Sequence, residues 1–456
     1  MPVNVIPPES SEIKTLREKT DAHIDAYASR MIEMSDWMYH HPESAFLEFK
    51  AFEMLTKELE GFGFQVEEGV TGLPPEFDHL KTAGGLTPDY DGPSGLPTAF
   101  RAKYKGKTES PVFGIVVEYD ALRGNPPFHG CQHNMQGPAG LGAAVALARV
   151  LEDNDIPGSV WVIGTPAEEV GPMTKAAQAE AGYFDGVDFI VRSHGNMGNT
   201  EEVNHTERSP GGFSNRGLRQ MLYTFHGKSA HAQRPWKGLS ALDAVMLLFH
   251  GMEMLREHSE PQFRFHGVIT NGGVAPNIVP DLAEAPIWIR HLRDETPLGS
   301  VSPRKAGEMI DAKVEQLDNI ARGAALATGT TLDIDYVGKG IPAISVSALN
   351  DIAFQYAVEY GGINILERAL PKHYEETGYV SLRAPGTRIS VAFEGIPIEP
   401  GHSQLRADQT LTPEAHKSLI LIAKVMAALG LRLLMDPEQR EAVRKEFSMW
   451  KEKYNE

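Results

Sequence analysis

Three short apolar segments, spaced so that a helix fits between them, constrain the fold of this chain more than any other feature. They lie at residues 113–117, 160–163 and 189–191, and segment 139–151 has the small-residue composition of a helix. Apolar strands that alternate with helices are typical of a largely parallel sheet sandwiched by helices. The chain is therefore predicted to have an α/β core. Helical periodicity predicts further helices at residues 10–39, 46–59, 349–360 and 413–435.

A different order of elements follows the glycine- and serine-rich residues 209–215. Strands are predicted near residues 218–225, 263–269, 285–292 and 331–336, and helices near 240–257 and 303–322. The resulting order, β-α-β-β-α-β, is that of a ferredoxin-like domain. We therefore predict a split catalytic domain formed by residues 1–213 and 339–456, and an inserted lid formed by residues 214–338. A last strand, near 388–393, would return to the first sheet.

Composition excludes several classes of protein. The 61 acidic and 43 basic side chains give a formal charge of -18, which repels nucleic acid and anionic membranes. The sequence contains no run of about 18 apolar residues, so no membrane-spanning helix is expected. The first 20 residues lack the order of a signal peptide, and the single cysteine, Cys131, cannot form an internal disulfide. We expect a cytoplasmic protein that acts on a small molecule.

Polar side chains follow each of the three apolar segments. Cys131 and His133 come after the first, Glu168 and Glu169 after the second, and His194 after the third. The carboxyl ends of parallel strands share one edge of a sheet, so these groups are expected to lie together. A thiolate, imidazoles and carboxylates are metal ligands. The sequence therefore predicts a metal site, with Asp120 or His129 orienting the ring of His133.

The two adjacent glutamates can have separate tasks. One carboxylate can bind the metal while its neighbour takes a proton from water and passes it to a leaving nitrogen. In the predicted lid, His231 and Asn277 lie in loops rich in turn residues. Composition alone does not distinguish a functional loop from an ordinary turn at these two positions.

Several ordered motifs resemble those of a known family. They are EYDAL at 118–122, HGCQHN at 129–134, TPAEE at 165–169, GKSAHA at 227–232, GGVAPNIVP at 272–280 and PGHS at 400–403. With the His194 block, they resemble the co-catalytic metallopeptidase family that includes aminoacylases, bacterial carboxypeptidases and plant auxin-conjugate hydrolases. The resemblance is greatest to its p-aminobenzoyl-glutamate hydrolase branch.

The resemblance implies a role for each motif residue. Cys131 would bridge two metal ions, with His133 and His194 completing one site and Glu169 and His402 the other. Glu168 would be the general base. His231 would stabilise the oxyanion, often in the partner subunit's site in this family, with Asn277 beside it as a substrate-binding residue. The resemblance thus implies a homodimer through the lid and one or two divalent ions per subunit, zinc or manganese.

Some positions differ from the branch pattern. Gln132 stands where glycine is usual, and it is predicted to shape the pocket and contact the substrate. Residues 170–172 replace a glycine run, and residues 375–381 read EETGYVS in place of Ser-Asp-x-Gly-Asn-Val-Ser. These differences leave open whether one or two ions bind.

The expected activity is hydrolysis of an amide in an N-acyl amino acid or aryl-amide conjugate. One alternative is a hydrolytic deaminase that displaces an amine from an activated aromatic ring, such as a substituted aminobenzoate, at the same metal site. A second is an inactive binding or scaffold protein that keeps the fold. Free amine, ammonia or no turnover would distinguish the three.

Overall fold

The computed structural model describes most of the chain. The described residues are 6–70, 96–169, 174–194, 206–208, 212–214, 217–291, 301–361, 365–367, 376–390, 393–397, 399 and 401–456. The sequence differences predicted at residues 170–172 and 375 lie outside these ranges, as do parts of the segment 209–215.

The part of the chain before the lid begins with two helices and continues as strands and helices. In chain order these are α1 (Ser11–His40), α2 (Phe49–Gly61), β1 (Gln65–Val70), β2 (Leu96–Lys105), β3 (Val112–Val117), α3 (His133–Asp153), β4 (Ser159–Gly164), α4 (Thr174–Glu180), β5 (Phe189–Ser193), β6 (Thr206–Arg208) and β7 (Gly212–Ser214). The Ser10 hydroxyl caps α1 by accepting a hydrogen bond from the Ile13 amide.

The lid contains four long strands and two helices. Its elements are β8 (Gly217–His226), β9 (Ala230–His231), α5 (Ala241–Glu257), β10 (Phe263–Gly267), β11 (Ile278–Val279), β12 (Leu282–His291), α6 (Pro303–Thr328) and β13 (Thr331–Gly340). Helix α6 has Ser302 as its N-cap, proline at its first position and the left-handed Gly329 at its end, as its sequence indicates.

The last part of the chain is mainly helical. Its elements are β14 (Ala343–Ser345), α7 (Ser347–Glu359), β15 (Ile365–Glu367), α8 (Gly378–Ser381), β16 (Gly386–Ile389), α9 (Gln404–Asp408), α10 (Pro413–Met435) and α11 (Pro437–Tyr454). The predicted strand near 388–393 thus begins and ends earlier than the apolar pattern suggested.

The larger sheet has eight strands in the order β1-β2-β4-β3-β5-β16-β14-β7. The five strands from β4 to β14 are parallel, and β1, β2 and β7 pair antiparallel at the two ends. Along β3, Phe113 and Ile115 belong to one buried apolar cluster and Val112 and Val116 to another. Because side chains alternate along a strand, the sheet has an apolar core on each face, as the predicted α/β sandwich requires.

The lid sheet has the order β10-β12-β8-β13 and is antiparallel throughout. Alternate residues of β8, namely Met221, Tyr223 and Phe225, join the apolar cluster that includes residues of α5 and α6. This is the predicted ferredoxin-like arrangement. The fold class is therefore confirmed, whereas the boundaries 1–213, 214–338 and 339–456 remain predictions.

Helix α10 corrects one expectation about apolar segments. By length and composition it could cross a membrane, although no such segment was expected from the sequence. In the structure, 78% of its most apolar 18-residue window is buried, and it contacts α1, α3 and β3. It is packed as a core helix of the larger domain.

Candidate metal centre

The centre lies at the carboxyl ends of three neighbouring parallel strands. In the sheet, β3 lies between β4 and β5. Glu118 and Asp120 follow β3, and Glu168 and Glu169 follow β4, while His194 comes directly after β5. The edge predicted from the apolar pattern is therefore the edge at which these side chains meet.

The beginning of α3 sets the positions of Cys131 and His133. His133 is the first residue of the helix, and Cys131 lies in the turn that precedes it. Gln132 precedes the helix in a left-handed conformation, with φ of 65°. A left-handed backbone favours glycine, so glutamine is strained at this position. A Cβ at Gly140 would lie 2.3 Å from the Val117 side chain, so α3 packs closely on β3.

Three overlapping groups of possible ligand atoms lie at this edge. They are Cys131, His133 and His194; Cys131, Glu169 and His402; and His133, Glu168 and Glu169. Within each group, the ligand atoms all lie within 4.8 Å of one another. The first two groups share Cys131. The structure thus brings together all five predicted ligands and the predicted base, and their roles remain predictions.

Asp120 holds the ring of His133 and the backbone beside it. Oδ1 of Asp120 lies 3.0 Å from Nδ1 of His133, and Oδ2 accepts a hydrogen bond of 2.9 Å from the Glu169 amide. Of the two residues considered from the sequence, Asp120 therefore orients the imidazole. The ring of His129 is also buried, and burial lowers its pKa to about 3.

Several acidic side chains crowd together at the centre. Burial raises the pKa of Glu169 to about 8, with His133 opposing and Glu168 adding to the rise. Burial and the two glutamates also raise the pKa of the Cys131 thiol. The pKa of His133 rises to about 10, since Glu169, Asp120 and Glu118 outweigh the opposing effect of burial. A cation would relieve this repulsion.

The donor set fits a divalent metal ion. Nε2 of His133 is buried and has no hydrogen-bond partner among the described residues, while Nδ1 is held by Asp120. An imidazole fixed through one nitrogen and free at the other is the usual arrangement of a metal-binding histidine. Nε2 also lies 3.8 Å from an oxygen of Glu168 and 3.8 Å from one of Glu169.

Three residues at the centre have strained backbone. Gln132, Ala167 and His402 are not glycines, yet their φ angles are 65°, 58° and 61°. Such conformations persist only where surrounding contacts impose them, and they concentrate at functional sites. The amide of Ala167 donates a hydrogen bond of 2.8 Å to the buried Glu48 carboxylate, which fixes the segment before Glu168.

His402 and Gln132 have opposite surroundings. The His402 side chain is 62% exposed, and its Nε2 lies 3.9 Å from Oε2 of Glu169. Gln132 is buried, and its Nε2 donates to the Arg406 carbonyl oxygen at 3.3 Å. The prediction that Gln132 contacts the substrate remains a prediction.

The structure places His231 and Asn277 side by side in the lid. His231 lies in β9, which pairs with β11, and the Asn277 carbonyl oxygen accepts a hydrogen bond of 3.0 Å from the Ala232 amide. Both residues are exposed, and His231 is in none of the three ligand groups found among the described residues.

Two buried cations at the centre were missed from the sequence. Lys175 lies in α4 and is 1% exposed, and Arg406 lies in α9 and is 2% exposed. The only sequence signal for Lys175 is its position among small residues, six residues after Glu169. Charged residues are predicted to be exposed by default, so their burial becomes visible only in the tertiary structure.

Comparison with known proteins identifies a domain and several proteins to which this chain is similar. The profile of the M20 peptidase dimerisation domain matches residues 213–318. The chain is 29% identical to mouse Xaa-Arg dipeptidase over 458 residues, which covers 96% of this chain and 93% of that one. It is 33% identical over 335 residues to one of the p-aminobenzoyl-glutamate hydrolase subunits of Escherichia coli, covering 69% and 59%.

A solved structure shows the same fold. The aminobenzoyl-glutamate utilization protein of Klebsiella pneumoniae superposes with a TM-score of 0.62 at 20% identity, covering 90% of this chain and 98% of that one. The family predicted from the sequence motifs is thereby confirmed. The chain belongs to the M20 family of peptidases and amidohydrolases and is a hydrolase.

Proposed function

We propose that this protein hydrolyses the amide bond of an N-acyl amino acid or an aryl-amide conjugate. The observation that carries the proposal is the meeting of Cys131, His133, Glu169, His194 and His402 beside Glu168. Relatives named Xaa-Arg dipeptidase, p-aminobenzoyl-glutamate hydrolase and indole-3-acetyl-aspartic acid hydrolase support this choice of bond.

The proposal includes one or two divalent ions per subunit, zinc or manganese. His133 and His194 with Cys131 would hold one ion, and Glu169 and His402 with Cys131 a second. Thiolate and imidazole favour zinc, whereas carboxylate and imidazole also suit manganese. An ion bound there would act as a Lewis acid on the scissile carbonyl and would lower the pKa of water.

Glu168 is the residue that moves the proton. Its side chain is 24% exposed, whereas that of Glu169 is 5% exposed, so Glu168 is the more accessible to substrate and water. Burial and the neighbouring Glu118 raise the pKa of Glu168. A carboxylate with a raised pKa can take a proton from the attacking water and return it to the leaving nitrogen.

His231 and Asn277 of one subunit complete the metal site of the partner subunit. In this role, the His231 imidazole stabilises the negative oxygen that forms on the attacked carbonyl carbon. The ribbon formed by β9 and β11 is exposed, so another surface can cover it. In this proposal the partner subunit of a homodimer supplies that surface.

The lid offers a surface for that dimer. Helix α5 exposes Met246, Leu247 and Met254, with 59%, 43% and 56% of their surfaces accessible. An apolar helix face of this kind is typical of a contact with another protein. The match to a dimerisation domain over residues 213–318 supports the same surface.

We also propose that the protein is cytoplasmic and acts on small molecules. The single cysteine supports a reducing compartment, because Cys131 is buried at the centre and no internal disulfide is possible.

Replacing Glu168 tests the proposed reaction. Glu168→Gln keeps the size of the side chain and removes the base, so we expect metal content to persist while kcat falls by about two to four orders of magnitude. Glu109→Gln, the same change at a side chain that is 83% exposed, is the matched control. Wild-type turnover in metal-loaded Glu168→Gln would contradict the assignment.

The products distinguish the alternatives. Acylated amino acids and activated aminobenzoates are incubated with the metal-loaded protein, and free amine and ammonia are measured. Amide hydrolysis releases the amine half of the conjugate. Release of ring ammonia alone would establish the hydrolytic deaminase. A protein that carries no metal after purification and shows no turnover after metal is added would establish the inactive scaffold.

A further inference from the structure

Lys175, Glu118 and Glu376 form a buried cluster of ionisable side chains next to the metal centre. Nζ of Lys175 is 2.8 Å from Oε1 of Glu118 and 3.3 Å from Oε2 of Glu376. The lysine side chain is 1% exposed and each carboxylate 2%. Taking a lysine and two carboxyl groups out of water is costly, and an apolar replacement is often at least as stable. Stability alone therefore does not explain the cluster.

The cluster joins segments that are distant in the sequence. Glu118 follows β3, Lys175 lies in the first turn of α4, and Glu376 precedes α8 in the last part of the chain. Lys175 therefore connects the part of the larger domain before the lid to the part after it, next to the candidate metal ligands.

Glu118 faces the ligand His133. Its Oε2 accepts a hydrogen bond of 2.7 Å from Nε2 of Gln136 and lies 3.4 Å from Nε2 of His133. That imidazole nitrogen is the one that Asp120 leaves free, and it has no hydrogen-bond partner among the described residues. The 3.4 Å separation between Glu118 and this nitrogen is longer than a normal hydrogen bond.

Lys175 and Gln136 account for this separation. Lys175 holds Oε1 and Gln136 holds Oε2, so the carboxylate is anchored at both oxygens and Oε2 stays 3.4 Å from Nε2 of His133. Without Lys175, Glu118 would be a buried carboxylate that has lost the ion pair at Oε1. The hydrogen bond from Gln136 would remain, and the carboxylate could approach Nε2 of His133, which lies 3.4 Å from Oε2.

We propose that Lys175 is a positioning residue of the metal centre: by holding Glu118, it keeps Nε2 of His133 available to the ion. This inference rests on the proposed metal-dependent function. Lys175 then contributes to metal affinity without contacting the ion, in the way that partners of ligands do in metalloproteins.

Metal titration of four proteins tests the proposal. Apo-protein is prepared with a chelator, and binding of Zn²⁺ and of Mn²⁺ is measured by calorimetry for wild type, Lys175→Met, Lys175→Met with Glu118→Gln, and Glu376→Gln. We expect Lys175→Met to weaken binding by about tenfold to a hundredfold. The double variant should recover, because a neutral amide in place of the Glu118 carboxylate no longer competes for His133.

The matched control is Glu376→Gln. It replaces the other carboxyl group of the same cluster but leaves the contact between Lys175 and Glu118, so its metal affinity should stay close to wild type. Binding by Lys175→Met that is as tight as wild type, or a double variant as weak as the single one, would overturn the proposal. A wild-type protein that binds neither metal would instead refute the proposed function.

A second variant covers a failure of Lys175→Met to fold, which is monitored by circular dichroism. Glu118→Gln alone keeps the size of the side chain and one acceptor oxygen. The proposal expects its metal affinity to match or exceed wild type, since Glu118 is not a ligand. A loss of about tenfold or more would identify Glu118 as a ligand and overturn the proposal.

Discussion

The two sets of predicted functional residues lie in contrasting surroundings. At the edge of the larger sheet, His133 and Asp120 are fully buried and fixed to each other at 3.0 Å. In the lid, His231 and Asn277 are exposed on a short two-stranded ribbon. The difference teaches that one chain brings the candidate ligands together, whereas the lid residues would need a further surface to take the role proposed for them.

Replacing His231 tests that difference with the largest expected effect. His231→Ala should lower kcat by about two to three orders of magnitude, the usual effect of losing one oxyanion donor, and leave metal content unchanged. Turnover and elemental analysis of the purified variant measure both. A loss of metal in His231→Ala would show that the lid residue belongs to the centre itself.

Mixing two inactive variants shows which subunit supplies His231. If His231 acts in the partner's site, one site of each mixed dimer of His231→Ala and Glu168→Gln keeps both residues. After random exchange of equal amounts, about one quarter of wild-type activity should return. No recovery, with mixed dimers detected by mass spectrometry, would place His231 in the site of its own subunit.

Substitutions on the exposed face of α5 are expected to have the next largest effect on activity. Met246→Lys with Met254→Lys places two charges on the proposed contact, so light scattering should show loss of dimer, and kcat should fall through loss of the partner's His231. Gln65→Lys, at an exposed position of the edge strand β1, is the matched control. A dimer that persists in the double variant would move the contact away from α5.

The smallest effect is expected within the lid core. The buried carboxylate of Asp318 accepts hydrogen bonds of 2.8 Å from the Tyr223 hydroxyl and 2.6 Å from that of Tyr336. Tyr336→Phe removes one of them and should lower the free energy of lid unfolding by about 1 kcal/mol. Hydrogen exchange measures this locally. A parallel loss of metal affinity would show that lid and centre are not independent.

The sequence was most informative where a local hydrophobic pattern also fixes where a side chain lies in the fold. The order of strands and helices in the lid follows from local periodicity, and the three ligand clusters follow from the ends of apolar strands. The antiparallel strands β1 and β2 were missed, because their pairing depends on partners far along the chain. Likewise, the neighbours of β3 in the sheet are set by tertiary packing.

Other features of the site depend on surroundings that no local pattern records. Gln132 precedes the helix in a left-handed conformation, although glutamine in a sequence gives no signal of it. Lys175 and Glu376 are ordinary charged residues in the sequence, and only the fold brings them together at 3.3 Å. The motif resemblance supplied the individual ligand assignments, which composition left open.

Anomalous diffraction from crystals grown with zinc tests the central claim most directly. The account predicts an anomalous peak about 2.3 Å from Sγ of Cys131 and about 2.0 Å from a ring nitrogen of His133, with His194 or Glu169 completing the coordination. A peak elsewhere, or no peak while these side chains pack against one another, would contradict it.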